Sequence, residues 1–483
     1  MKILFVTSEL AGLVKVGGLA DVSAALPRAL EQVAHDEVRV LLPGYPGVLA
    51  GLRDAAPIAE LPGLADIPPA RLLGGRGADG QQLFVIDCAP LYDRPGTPYG
   101  DLAGADWADN DVRFARLAFA AAQIAHGLPE FDWQPDLMHV HDWPAALAPG
   151  YLAWQDGARP IPSVTTIHNL AHQGLFPAHR LGALGVPEAA FAVDGSEFHG
   201  QLGFLKTGLY YANEVTTVSP SYAEEIATPQ LGCGLHGLLG GLRDAGRLTG
   251  IVNGVDPAWN PRNDPYLVRR FDARSRDAKQ RNAQAVRHSL GLAHRPAPLF
   301  SLIARMVWQK GVDLVIDACE TLVRAGGQLA VMGAGDASLE RRMHALSQRH
   351  PGSVAVKIGY EEAMAHKVFA ASDFFLMPSR FEPCGLTQMY AQRFGALPIA
   401  RETGGLRDTI DDGITGFLFP DSSVRSLLGA VRRALLMFNF RPGMNQMQRE
   451  AMRRDFGWDR PAQEYHRVYQ RAQAACRTSA RHE

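Results

Sequence analysis

The sequence predicts an α/β protein with two doubly wound parallel sheets, on three observations. Short apolar runs alternate with longer amphipathic segments from one end to the other. That βαβα rhythm buries a parallel sheet beneath helices on both of its faces. The rhythm stops and begins again in the second half of the chain. Between the two series lies the stretch NGVDPAWNP, residues 253–261, dense in turn formers and suited to a hinge.

In the first series, residues 2–7 read as a strand and residues 21–33 as a helix with apolar residues at helical spacing. Strands at 38–42, 83–86, 137–140 and 163–167 follow, with a helical stretch over 112–126. The second series runs strand 299–304, helix 311–325, strand 328–332, helix 339–348 and strand 353–358. Helix 366–371, strand 374–377, helix 387–394 and strand 397–400 complete it. No repeat of roughly 20–50 residues is visible, which disfavours a solenoid. In such sheets ligands sit beyond the carboxyl ends of the strands, so the loops after strands are the place to look.

The composition excludes several classes. The 483 residues allow two to three domains, and 48 Lys plus Arg against 50 Asp plus Glu leave a net charge of −2. A nucleic-acid binder normally carries a basic excess, so none is expected as a partner. Five cysteines are scattered without a CxxC pair, which argues against a disulfide framework or zinc ribbon and for a reducing compartment. The opening MKILFVTSEL reads as a buried strand, its apolar run being too short for a signal sequence. No stretch is long and apolar enough for a membrane span. A cytoplasmic protein is the expectation.

Six segments carry chemistry. Lys15, Gly17, Gly18 and Asp21 join the first strand to the first helix. Paired glycines let backbone approach an anion, the helix start offers N–H donors, and Lys15 adds a point charge suited to phosphate. A glycine loop needed only for chain reversal has the same pattern. A similar loop, Thr403-Gly404-Gly405, follows the strand at 397–400. Arg305 and Lys310 set two cations in one loop after a strand, which suits a departing diphosphate. Glu382, before Cys384-Gly385-Leu386-Thr387 and a helix, could meet sugar hydroxyls while backbone amides take phosphate.

His139, His141 and His168 stand at two strand ends beside Asp142. His139 and His141 share a strand face, which invites a metal-dependent amidohydrolase reading. That chemistry would need further ligands on the strand ends of a barrel. Residues 333–338, GAGDAS, approximate a dinucleotide fingerprint but end in serine and lie mid-domain.

Together these segments resemble bacterial glycogen and starch synthases, retaining glucosyltransferases of the GT-B fold. The resemblance rests on KVGGLADV, LYDRPGTPYG, HVHDW, TIHNLAHQGLF, SPSYAEEI, VNGVDPAWNP, QKGVDL, PSRFEPCGLTQMY and ETGGLRDT. It implies two Rossmann-like domains facing a cleft, with an acceptor-side domain over 1–248 and a nucleotide-sugar domain over 252–455. A C-terminal helix within 456–483 would return to the first domain. It also implies glucose transfer from ADP-glucose to the non-reducing end of an α-1,4-glucan, glycogen or malto-oligosaccharide, with no catalytic metal and no cofactor.

Residue by residue, Lys15 matches a sugar-nucleotide contact and His168 the histidine beside the glucose. Arg305 and Lys310 match the cations on the diphosphate, and Glu382 the acid over the glucosyl group. Asp142 would play an orienting part. Asn253, Cys384, Gly385, Leu386 and Thr387 match further donor contacts, and Tyr360 a position near the adenine. Val307 and Trp308 are unusual in the cation loop. Tyr390 stands where broader retaining GT-B enzymes often carry a second glutamate, which fits synthases of this type better than UDP-sugar or GDP-sugar relatives. A related retaining transferase with UDP-glucose or another acceptor is the competing enzyme reading. A glycan-binding scaffold without catalysis is the competing class.

Overall fold

The computed structural model describes residues 1–129, 131–155 and 160–479, which form two compact units. One comprises Met1–Gly254 and the segment from Trp458 onward; the other is Val255–Gly457.

The first unit's strands are β1 (Lys2–Val6), β2 (Glu37–Pro43), β3 (Arg53–Leu61), β4 (Ala70–Arg76), β5 (Gln82–Asp87), β6 (Leu137–His141) and β7 (Ser163–Ile167). A small sheet of β8 (Leu175–Pro177), β9 (Glu197–Phe198) and β10 (Gln201–Gly203) precedes β11 (Glu214–Thr217) and β12 (Leu248–Gly250). The large sheet runs β12-β11-β7-β6-β1-β2-β5-β4-β3, parallel except for the antiparallel pairings of β4 with β5 and β3. Residues Ile3–Val6 are buried, as a strand covered on both faces must be. The β3–β4 hairpin escapes the periodicity because β3 is an edge strand with five exposed residues at its start and a proline, Pro57.

The second unit holds β13 (Leu299–Ile303), β14 (Gln328–Gly333), β15 (Val354–Ile358), β16 (Phe374–Met377), β17 (Leu397–Arg401) and β18 (Phe417–Phe419). Their order, β15-β14-β13-β16-β17-β18, is the 3-2-1-4-5-6 winding of a dinucleotide-binding fold. Its core packs Phe300, Leu302, Leu376 and Ile399 of the sheet against Val315, Leu322 and Leu427 from helices.

The last helix, Asp459–Ser479, belongs to the first unit. Tyr465, Val468, Tyr469 and Ala472 make one buried stripe at helical spacing within that unit's core. Tyr469 Oη lies 2.9 Å from His139 Nδ1, and Arg471 reaches Glu214 at 3.0 Å. Tyr469→Ala should therefore cost the first unit about 3–5 kcal/mol, the usual range for emptying a buried aromatic site. Tyr469→Phe, which only unpairs His139, should cost about 1–3 kcal/mol. Urea denaturation of the full chain measures both.

Candidate active site

In each sheet the winding reverses direction at one point, and two strand-end loops flank it. For the first unit these are the loops after β1 and β6; for the second, the loops after β13 and β16. Most of the residues singled out from sequence fall on these loops or on those of neighbouring strands; Asn253 and Tyr360 follow the edge strands β12 and β15.

In the first unit, the loop after β1 leads through Lys15, Gly17 and Gly18 into the helix Gly18–Ala29. A residue that sequence reading missed organises it. Glu9 is buried, and its Oε2 accepts from the amides of Val16 (2.7 Å) and Gly17 (2.8 Å), while Oε1 accepts from Tyr99 Oη at 2.7 Å. A carboxylate thus takes two amides that the glycine pattern offers to an anion. A Cβ on Gly17 would meet nothing within 4 Å, so this glycine leaves open space beside the helix start. Lys15 Nζ pairs with Asp21 Oδ1 at 2.6 Å on the exposed side of the loop. The only sequence signal for Glu9 is its place three residues beyond the first strand.

Asp142 follows β6 with a φ of +54°, a left-handed conformation that a non-glycine residue adopts at a cost of about 1–3 kcal/mol. The strained turn aims Oδ1 at the loop after β7, where it accepts from His168 N at 2.7 Å and Asn169 N at 3.4 Å. Burial pushes its carboxyl up to about 7; the two amides pull against this, and the nearby charge of Glu9 adds to it.

His168 Nε2 lies 2.9 Å from His141 Nδ1, so one ring donates and the other accepts. Burial holds His168 down at about 3, and lowers His139 and His141 well below the ordinary range with help from their neighbours. All three imidazoles are neutral at pH 7. His139 and His141 do share a face, their centroids 4.0 Å apart. His139 is engaged at both nitrogens, by Tyr469 and by Thr166 at 2.6 Å. The open sheet supplies no ring of strand ends, and among the described residues no group of three or more His, Cys, Asp or Glu is placed to hold a metal. The amidohydrolase reading fails on that geometry. Asn253, at the end of this unit, is buried.

In the second unit, Lys310 Nζ donates to both oxygens of Glu382, at 2.8 and 2.7 Å, and Ser379 Oγ donates to the same carboxylate at 2.9 Å. Lys310 is therefore paired with Glu382, from the loop across the reversal point, rather than with Arg305. The Arg305 side chain is exposed and makes no ion pair or hydrogen bond among the described residues. The neighbouring Arg380 grips Asp313 at 2.8 and 2.6 Å, and its guanidinium lies 4.6 Å from the Trp308 ring centroid.

Glycines set the spacing of these loops. A Cβ on Gly311 (φ +64°) would fall 2.1 Å from the Pro378 carbonyl, and one on Gly405 2.2 Å from that of Cys384. Gly405 donates its amide to the Glu382 carbonyl at 3.0 Å, so the TGG loop is spent on packing against the EPCG loop. Gly385 has φ +71° just ahead of Leu386, which precedes the helix Thr387–Arg393. Thr403 and Gly404 are buried at the start of the next short helix. Tyr360 follows β15 and is 60% exposed. The GAGDAS segment is explained locally: Gly335 pairs with Met306 of the cation loop, and Asp336 caps the helix Ala337–Arg349. Tyr390 is buried, stacked on Trp259 with centroids 4.0 Å apart.

Two doubly wound units with charged and glycine-bearing loops at their reversal points define an α/β protein with a candidate ligand site in each unit. Residues 2–241 match the family model "Starch synthase catalytic domain", and 291–451 match "Glycosyl transferases group 1". The chain is 50% identical over 461 residues to Glycogen synthase 1 of Bradyrhizobium diazoefficiens, covering 95% of this chain and 99% of that one. It is 49% identical over 470 residues to Glycogen synthase of Pseudomonas aeruginosa, covering 97% and 91%. The catalytic domain of Starch Synthase IV from Arabidopsis thaliana, bound to ADP and acarbose, superposes with a TM-score of 0.87 at 30% identity, covering 98% and 99%. Sucrose-phosphate synthase from Thermosynechococcus elongatus shares the fold, with a TM-score of 0.58 at 19% identity and coverage of 98% and 99%. The chain belongs to the glycogen synthase family, glucosyltransferases of glycogen and starch biosynthesis. Among the described residues, no helix is long and apolar enough to cross a membrane.

Two outcomes test this geometry. His168 folds with its affinity for protons below the unfolded value of about 6.5, so its contribution to stability is full above that pH. It is lost as pH falls from about 6.5 toward 3, at roughly 1.4 kcal/mol per pH unit for each such imidazole. Urea midpoints at pH 7 and pH 5 should separate accordingly, and less so in His168→Gln. Glu9→Ala should leave the Val16 and Gly17 amides without their acceptor, and hydrogen exchange at both should accelerate at least tenfold.

Proposed function

We propose that this chain transfers glucose from ADP-glucose to the non-reducing end of an α-1,4-glucan with retention, in the cytoplasm. Glycogen or malto-oligosaccharide is the acceptor. The observation that carries the reading is the pairing of Lys310 with Glu382 across the second unit's reversal point, with Arg305 left exposed beside it. One loop then offers charge to a diphosphate while the other holds a fixed carboxylate for sugar hydroxyls. The ADP and acarbose held by the Arabidopsis starch synthase domain support both ligand classes.

In a single displacement, the acceptor oxygen bonds to the anomeric carbon on the face from which the diphosphate departs. The carbon–oxygen bond to ADP breaks with its electron pair going to the phosphate. The acceptor's proton passes to that phosphate oxygen, and atoms and charge balance without a further reactant. Arg305 and Lys310 meet the growing negative charge. Neutral His168 lies beside the sugar, where an imidazolium would oppose the developing positive charge. Asp142 acts through the backbone of His168 and Asn169 as a positioning residue. Lys15, Gly17, Gly18, Asp21 and Asn253 serve the donor from the first unit. In the second, Cys384, Gly385, Leu386, Thr387, Thr403, Gly404 and Gly405 do so, with Tyr360 near the adenine.

Incorporation of label from ADP-glucose into glycogen should exceed that from UDP-glucose, and no incorporation from either donor would overturn the reading. Arg305→Ala should lower kcat roughly a hundredfold or more with little change in stability, because its side chain has no partner to orphan among the described residues. A covalent route would need Asp142 or Glu382 as nucleophile. Mass spectrometry after reaction with a slow fluorinated donor should find no glucosyl adduct on either carboxylate.

A further inference from the structure

The second unit contains a cavity of about 440 Å³, within the size range of small-molecule sites, at the end of the sheet opposite the loops described above. Ala297 precedes β13 and Asp373 precedes β16, and both line it, so it opens at the amino ends of the strands. Arg305, Lys310 and Glu382 lie beyond the carboxyl ends.

Four cations line this cavity, Lys279, Arg287, Arg295 and Arg441, together with His294 and a single carboxylate, Asp373. Among the described residues none of the four forms an ion pair. Lys279 Nζ donates to the carbonyls of Ala370 (3.0 Å) and Phe394 (2.8 Å), and burial draws its ammonium down to about 8. Arg287 is buried and donates to Gln328 Oε1 and the Ala297 carbonyl, each at 2.8 Å. Burial lowers its proton affinity; the charge of Asp373 pulls the other way, and the like charge of Arg295 adds to the lowering. Arg295 donates to the Gly326 and Gly327 carbonyls, at 3.0 and 3.3 Å. Arg441 makes no hydrogen bond among the described residues and lies over the Phe438 ring, 4.1 Å from its centroid. Asp373 spends Oδ2 on the Leu299 amide at 2.9 Å.

Gathering like charges around a concave, partly dry site is unfavourable unless something anionic enters it. Neutral carbonyls fix Lys279, Arg287 and Arg295 in place, and the one carboxylate within reach of Lys279, Arg287 and Arg441, that of Asp373, offsets only part of the positive charge. We infer that this cavity binds a compact phosphate-bearing anion of three or more negative charges, at a place separate from the donor loops.

The test is isothermal titration of the full chain, saturated with ADP, with inorganic tripolyphosphate in one arm and glucose 1,6-bisphosphate in the other. One-to-one binding of at least one probe is expected, and the tighter arm distinguishes an inorganic from a sugar-borne source. Arg441→Gln and Arg295→Gln should each weaken it about tenfold or more, the usual worth of a hydrogen bond to a charged group. Arg341→Gln, on an exposed helical position outside the cavity, should leave it unchanged. The Arg441 side chain makes no hydrogen bond or ion pair among the described residues, so its variant keeps the fold, and an unchanged melting temperature documents this. Absence of saturable binding by both probes, or binding unaffected in both cavity variants, would overturn the assignment.

Discussion

Close contact between bare backbones is the constraint on which the second unit's site depends. The loops after β13, β14, β16 and β17 cross one another with carbonyls about 2 Å from where a side chain would begin at Gly311, Gly333, Gly404 and Gly405. Any residue with a Cβ at these crossings would force the loops apart. Lys310 could not then reach both oxygens of Glu382, since the pair spans two of the crossing loops. Glycine contributes absence of volume here, and three of these four also carry a left-handed or otherwise positive φ that other residues resist.

The first unit reaches the same end by opposite means. Its loops are tied by carboxylates that accept backbone amides: Glu9 for the loop after β1, Asp142 for the loop after β7. A charge-assisted bond to two amides is directional and stronger than a neutral one. The cost is a buried Asp142 whose carboxyl is pushed up to about 7, chiefly by burial, and which is held at positive φ. Three neutral imidazoles beside them keep the local charge low.

Much of the fold was legible because parallel strands buried on both faces must be short and apolar throughout. Runs such as KILFV and LFSLI have few other readings. The β3–β4 hairpin was not legible, since an exposed edge strand has no face whose burial would impose a period. In the site, Lys310, Glu382, Asp142 and His168 stood out as charged or titratable residues at strand ends. What sequence could not supply was their partners. Lys310 pairs with a residue 72 positions away, and Asp142 with amides 26 and 27 positions away. The two glycine loops look alike in sequence, yet one leaves open space at Gly17 and the other is closed by Cys384. Glu9 escaped because a single acid after a first strand carries no pattern.

Trp308 carries a consequence beyond packing. Seven tryptophans occur in the chain, and Trp308, 65% exposed, is the one whose ring lies open to solvent. It sits between Arg305 and Lys310 and covers the Arg380 guanidinium. Its emission therefore belongs at the red edge of the protein's spectrum, and a dissolved collisional quencher reaches it before any other indole. The native chain thus carries an intrinsic optical reporter at the cation loop, readable in solution without a label.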